Sequence, residues 1–112
     1  MVTLRHYQQA QQHGLSLVGE LNIYNAATLW QELLPALEAR SQLEVDLESV
    51  EDFDTAGVQV LLAFKSEAER QDKFLRFVRH STVVWEVLEL LDLVAELGDS
   101  TPDMPLIAGD FQ

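Results

Sequence analysis

The sequence contains no cysteine. That excludes disulfides, thiol catalysis and cysteine-based zinc or iron–sulfur sites. Glycine is scarce: five residues lie scattered, and no G-K-[ST] loop that would cradle a phosphate occurs. The histidines His6, His13 and His80 form neither H-x-x-x-H nor H-E-x-x-H, so no metal centre is expected. No apolar run approaches the roughly 18 residues of a membrane span. The first residues lack the charged-then-apolar order of a signal peptide. These absences predict a soluble, cytoplasmic protein without a cofactor. Bases are few as well, 7 against 19 acids, for a formal charge of −12. Such a surface repels nucleic-acid phosphates and anionic headgroups, so neither nucleic-acid binding nor membrane insertion is expected. It favours a basic protein partner, chiefly through association rate. The same acidity would equally serve a protein that only has to stay in solution.

What remains is a chain of 112 residues, 47% apolar, which predicts one domain over 1–112. Val2, Leu4 and His6 alternate with polar residues, the period of a strand. Gln8 to Gly14 is polar, and His13-Gly14 predicts the hairpin turn. Leu15, Leu17 and Leu21 mark a second strand, antiparallel to the first because the link is too short for a crossover. From Asn25, a candidate N-cap, apolar residues recur at helical spacing to Leu37, and Pro35 predicts a kink or break. Leu43, Val45 and Leu47 predict a third strand ending near Val50. A helix should then run from Asp54 or Thr55 to about Gln71, a fourth strand over Phe74 to Val78, and a third helix from Ser81. Alternating helices and strands imply parallel neighbours. The expected fold is a small α/β mixed sheet of about four strands, the first antiparallel to the rest, with three to four helices. Its core covers about 2–97. The tail, 98–112, reads as irregular, with Leu106, Ile107 and Phe111 able to dock on the body or on a neighbour.

Chemistry is sparse. A Thr55–His80 pair is conceivable as a catalytic unit, but His80 reads in the first place as a polar loop residue. Glu48, Glu51, Asp52 and Asp54 have the acid density of a cation site without the spacing of a calcium loop. They read as a solvated loop facing the positive end of a helix. Trp30 and Trp85 read as packing residues, with Trp85 a candidate partner anchor if it is exposed. The turn Asp54-Thr55-Ala56-Gly57 is the most informative stretch. Asp54 suits the first-turn N–H groups, Thr55 puts a hydroxyl on the rim, and Gly57 allows close approach of a neighbouring strand or a partner. A phosphate on Thr55 would meet free N–H donors and add about −1.5 to −2 charges. A plain helix cap would look the same.

Three stretches in order resemble the STAS domain family of bacterial anti-sigma-factor antagonists. They are "LSLVGELNIYNAATLW", "LEVDLESVEDFDTAGVQVLLAFKSEAE" and "LRFVRHSTVVWEVLELLDL". The resemblance implies a non-enzymatic regulatory module with no catalytic residues. Its partner would be an anti-sigma factor, a serine kinase or a related signalling protein, docked at Asp54, Thr55, Ala56 and Gly57. In the family's antagonists the phosphorylated residue directly precedes the glycine; here that position is Ala56, which cannot accept a phosphate. Thr55 is the phosphoacceptor candidate that remains. Asn22 stands where the family usually has Asp. The chain is also similar to the STAS subunit that binds the ATPase of a lipid-transport ABC transporter, and to chemotaxis- and phosphorelay-associated STAS adaptors.

Overall fold

The computed structural model describes residues 2–98. Five strands and four helices follow in the order β1 (Val2–Gln9), β2 (Gln12–Leu21), α1 (Ala26–Glu38), β3 (Gln42–Asp46), β4 (Val50–Phe53), α2 (Thr55–Arg70), β5 (Phe74–Val78), α3 (Thr82–Leu90) and α4 (Val94–Leu97). β1 and β2 form an antiparallel hairpin, and all other pairings are parallel. The strand order is β1-β2-β3-β5, with β4 also paired to β2.

That last pairing corrects the expected strand count. Gly14 to Ser16 of β2 pair with Glu44 to Asp46 of β3, whereas Gly19 to Leu21 pair with β4. β3 and β4 are thus two pieces of one ribbon beside β2, interrupted at Leu47–Ser49. The Asp46 carboxylate accepts from the Glu48 N–H (2.8 Å) and turns the chain there. The ladder shifts register at Gly19/Glu20, where Gly19 takes a φ of 113° that only glycine adopts readily. Expectation ended a strand near Val50 and placed a loop up to Asp54; Val50–Phe53 is a strand instead.

The hairpin turn lies at Ala10–Gln11, not at His13-Gly14, and Ala10 has a φ of 54°. Gly14 is inside β2 for a packing reason. A Cβ there would lie 2.1 Å from the Tyr7 ring, which crosses over from β1. Pro35 does not break α1, which runs through it to Glu38, and the Ala39 N–H then returns to the Pro35 carbonyl (3.2 Å). A proline removes one donor, and on the exposed side of a final turn the helix tolerates the loss.

The core follows from alternation. Leu15, Leu17 and Leu21 of β2 and Leu43 and Val45 of β3 point to one face of the sheet and are fully buried. Leu29, Leu33 and Leu37 of α1 and Val58, Leu61 and Phe64 of α2 close over them. Each such side chain contributes about 1.5–3 kcal/mol when removed from water. No helix among the described residues is long and apolar enough to cross a membrane. The tail residues Leu106, Ile107 and Phe111 lie outside the described residues.

Candidate functional site

Asp54 sits between β4 and α2 with extended backbone, φ −117° and ψ −172°. One carboxylate oxygen accepts from the Gly57 N–H (3.1 Å), the N-cap bond expected from the sequence. The other accepts from the Ile23 N–H (3.2 Å) in the loop between β2 and α1. One side chain therefore fastens two chain segments, and the sequence suggested only the first bond.

The β2–α1 loop is tied further. Asn22 Nδ2 donates to Asp52 (3.4 Å), and Asn22 Oδ1 accepts from the Tyr24 N–H (3.0 Å). Asn25 occupies the N-cap position of α1 but does not cap it. Its Oδ1 accepts from the Asn22 N–H (3.0 Å), and its Nδ2 donates to the Glu20 carbonyl (2.6 Å). Both functions of that amide close the loop instead. The result is a tight turn carrying two large apolar side chains out of the protein: Ile23 is 69% exposed and Tyr24 92%.

Gly57 resolves the choice between strand and partner. A Cβ on it would stand 2.6 Å from the Leu21 carbonyl oxygen and 2.9 Å from the Phe53 ring. The first turn of α2 thus lies directly on the end of β2. Gly57→Ala is expected to lower the unfolding free energy by about 1–3 kcal/mol through overpacking, despite alanine's better helix propensity. Urea denaturation measures it, and an unchanged midpoint would mean that α2 slides away from β2 at little cost.

Thr55 begins α2 and is exposed, whereas Ala56 is half-buried. Ala56 lines an apolar groove of about 490 Å³ between α1 and α2. Ala26, Ala27 and Trp30 form one wall, and Gln59, Val60 and Ala63 continue the other. Trp30 therefore packs on the core and lines the groove at once. Small side chains on both helices leave the groove open. Glu51 and Asp52 are exposed beside this rim, and no group of three metal-ligating side chains occurs among the described residues.

His80 is not brought to Thr55. Its Nε2–H donates to the Leu97 carbonyl (2.6 Å), and its ring meets Trp85 edge-on at 5.7 Å. A carbonyl only accepts, so this bond fixes the proton on Nε2. Trp85 on α3, read from the sequence as a packing residue, is 36% exposed.

A second polar cluster on the helix-free face of the sheet escaped the sequence reading. Glu44 is only 5% exposed. One of its oxygens accepts from Arg76 Nε and Nη2 (3.2 and 2.8 Å). The other accepts from the Tyr7 hydroxyl (2.6 Å) and Arg79 Nη2 (3.1 Å). Arg79 Nε also donates to Asp46 (2.7 Å). Burial pushes the Glu44 pKa up, yet the Tyr7, Arg76 and Arg79 hydrogen bonds outweigh it and hold the carboxyl below its usual range. Burial and the Glu44 bond push the Tyr7 phenol well above its ordinary value. The Asp46 bond, partly offset by burial, raises Arg79. Both Glu44 oxygens accept two hydrogen bonds each, and Arg79 Nη2 also reaches the Tyr7 hydroxyl (3.0 Å), which makes the cluster a structural network. The signal was present in sequence: Glu44 and Arg76 occupy matching polar positions of two strands that pair in register.

Comparison with known proteins now bears on this geometry. A family model described as "Mlab, STAS domain" matches residues 5–98. The chain belongs to the STAS domain family. Three solved structures are similar to this STAS domain. One is an anti-sigma factor antagonist from Mycobacterium paratuberculosis, with TM-score 0.74 and 18% identity over 87% of this chain and 83% of that one. The second is the anti-sigma factor antagonist SpoIIAA in its unphosphorylated form, with TM-score 0.68 and 19% identity over 88% and 89%. The third is the Bacillus cell fate determinant SpoIIAA in its phosphorylated form, with TM-score 0.63 and 18% identity over 88% and 92%. At these identities the likeness establishes a shared fold, with its antiparallel opening, parallel remainder and four helices. No curated protein matches the STAS sequence.

Proposed function

We propose that this STAS domain is a non-enzymatic regulatory module that docks a protein partner through Asp54, Thr55, Ala56 and Gly57 together with the β2–α1 loop. The partner is an anti-sigma factor, a switch kinase or a related signalling protein. The observation that carries this reading is the double role of Asp54. By capping α2 and holding the Ile23 N–H, it keeps an exposed hydroxyl and two exposed apolar side chains on one rim. Large apolar groups held in water by a hydrogen-bonded loop are the pattern of a partner contact. The nearby acids favour a basic partner surface.

A second reading is docking on the ATPase of an ABC transporter. It draws on the "Mlab" description of the family match and on Ala56, which offers no hydroxyl at the family's usual phosphoacceptor position. Thr55 is then a contact residue and not a switch.

Thr55→Glu is expected to weaken partner capture at least about tenfold, with an unchanged thermal midpoint, because it places a carboxylate on an exposed contact. Affinity purification with wild type and variant, followed by identification of the bound proteins and phosphopeptide mapping, checks this. A kinase or anti-sigma factor lost from the variant supports the first reading, and a transport ATPase the second. Equal capture by both proteins removes the turn from the interface.

A further inference from the structure

The opposite end of the parallel strands carries a different feature. α1 stops at Glu38, but the β1–β2 hairpin continues past it. The sheet face that α1 covers is therefore left open at the strands' amino ends. His6 pairs with Leu15 and Gln8 with His13, so by strand alternation these polar side chains share the face of the core leucines. They border a cavity of about 350 Å³ whose other walls include Ala36, Leu43 and Arg40.

We propose that this cavity binds a small organic anion, with a carboxylate or phosphate head at His6, His13 and Arg40 and an apolar body against Ala36 and Leu43. Two observations carry it. First, no carboxylate side chain lines the cavity, although acids outnumber bases 19 to 7 in the chain. Among the described residues, the side chains of His6, His13 and Arg40 have no hydrogen-bond or ion-pair partner, so their donors are available. Second, the helix end that would repel an anion is already neutralised. Lys73 Nζ donates to the carbonyls of Leu37 (3.0 Å) and Glu38 (3.1 Å) at the end of α1. The volume and the lining, apolar walls with a few convergent polar groups, suit a ligand of metabolite size. Tyr7 also lines the cavity, its hydroxyl engaged by Glu44, and Glu38 and Lys73 lie at the adjoining end of α1.

The test is a titration of the intact protein with inorganic phosphate, hexanoate and, as an uncharged control, hexanol. Binding is followed by the imidazole and Arg40 resonances in NMR spectra. Saturable shifts at His6, His13 and Arg40 are expected with an anion. Phosphate alone saturating would identify a phosphoryl head, and hexanoate binding more tightly would identify a carboxylate with an apolar body. Arg40→Ala should weaken binding about tenfold or more. Arg5→Ala, on the same hairpin but the opposite face, should leave it unchanged. Non-saturating shifts, binding of hexanol alone, or equal loss in both variants would overturn the proposal. The site lies away from the Thr55 rim, so its failure leaves the docking reading untouched, and the converse holds.

Discussion

Glu44→Gln is expected to lower the unfolding free energy by about 2–3 kcal/mol. The carboxylate accepts four hydrogen bonds, from Tyr7, Arg79 and twice from Arg76. An amide offers one oxygen and one NH2, so half of the side chain would face groups that were donors. Removing one member of a fully buried ion pair costs about 3–5 kcal/mol. Here the Arg76 and Arg79 side chains are 21% and 44% exposed and recover part of their hydration, which lowers the figure. Denaturant unfolding at neutral pH measures it, and a loss under about 0.5 kcal/mol would mean that the arginines are solvated without Glu44.

The same residue gives the protein an acid limb. Its folded-state pKa lies below the unfolded value, so its contribution is fully present above about pH 4.5 and is lost as pH falls through the folded value. The wild-type denaturation midpoint should therefore drop below about pH 4.5, and Glu44→Gln should flatten that drop. Glu67, which Arg70 also holds below its ordinary pKa, titrates in the same direction from a half-buried position on α2, outside the Glu44 cluster. Glu67→Gln is the control that separates the two, and it should leave most of the slope intact.

The sequence disclosed those elements whose local period and packing agreed. α2 was legible from its cap to its last turn, because Asp54, the leucine spacing and the close approach at Gly57 all favour one helix start. β5 and α3 were legible for the same reason, and Ser81 opens α3 by accepting from the Val84 N–H (3.3 Å). The failures arose where a residue's usual local meaning was overridden at long range. Gly14 signalled a turn but serves the Tyr7 ring, 7 residues earlier in the chain, and the real turn uses Ala10 in a left-handed conformation. Asn25 signalled a cap but bonds the Asn22 N–H and the Glu20 carbonyl. β4 is four residues long, too short to show a period, and exists because the far end of β2 needs a partner. At the rim, the motif identified Asp54 to Gly57 and left out Ile23 and Tyr24. Nothing local distinguishes those two from buried residues; only the bond from the Ile23 N–H to Asp54 joins the segments.

That bond makes the strongest test of the docking rim a pair of substitutions away from the motif. Ile23→Ala with Tyr24→Ala should weaken affinity for the captured partner by about thirtyfold or more, since one well-used apolar anchor is worth about 2 kcal/mol. Stability should change by less than about 0.5 kcal/mol, because both side chains are exposed and the loop is held by other groups. Asp54→Ala should behave differently. It removes the cap of α2 and the tether of the loop together, so it should cost about 1–2 kcal/mol of stability as well as affinity. Affinity measured by biolayer interferometry, beside thermal unfolding of each variant, separates anchor from tether. If the double variant binds like wild type while Thr55→Glu does not, the contact lies on the first turn of α2 and its groove alone. The exposed Ile23–Tyr24 pair would then have no part in docking.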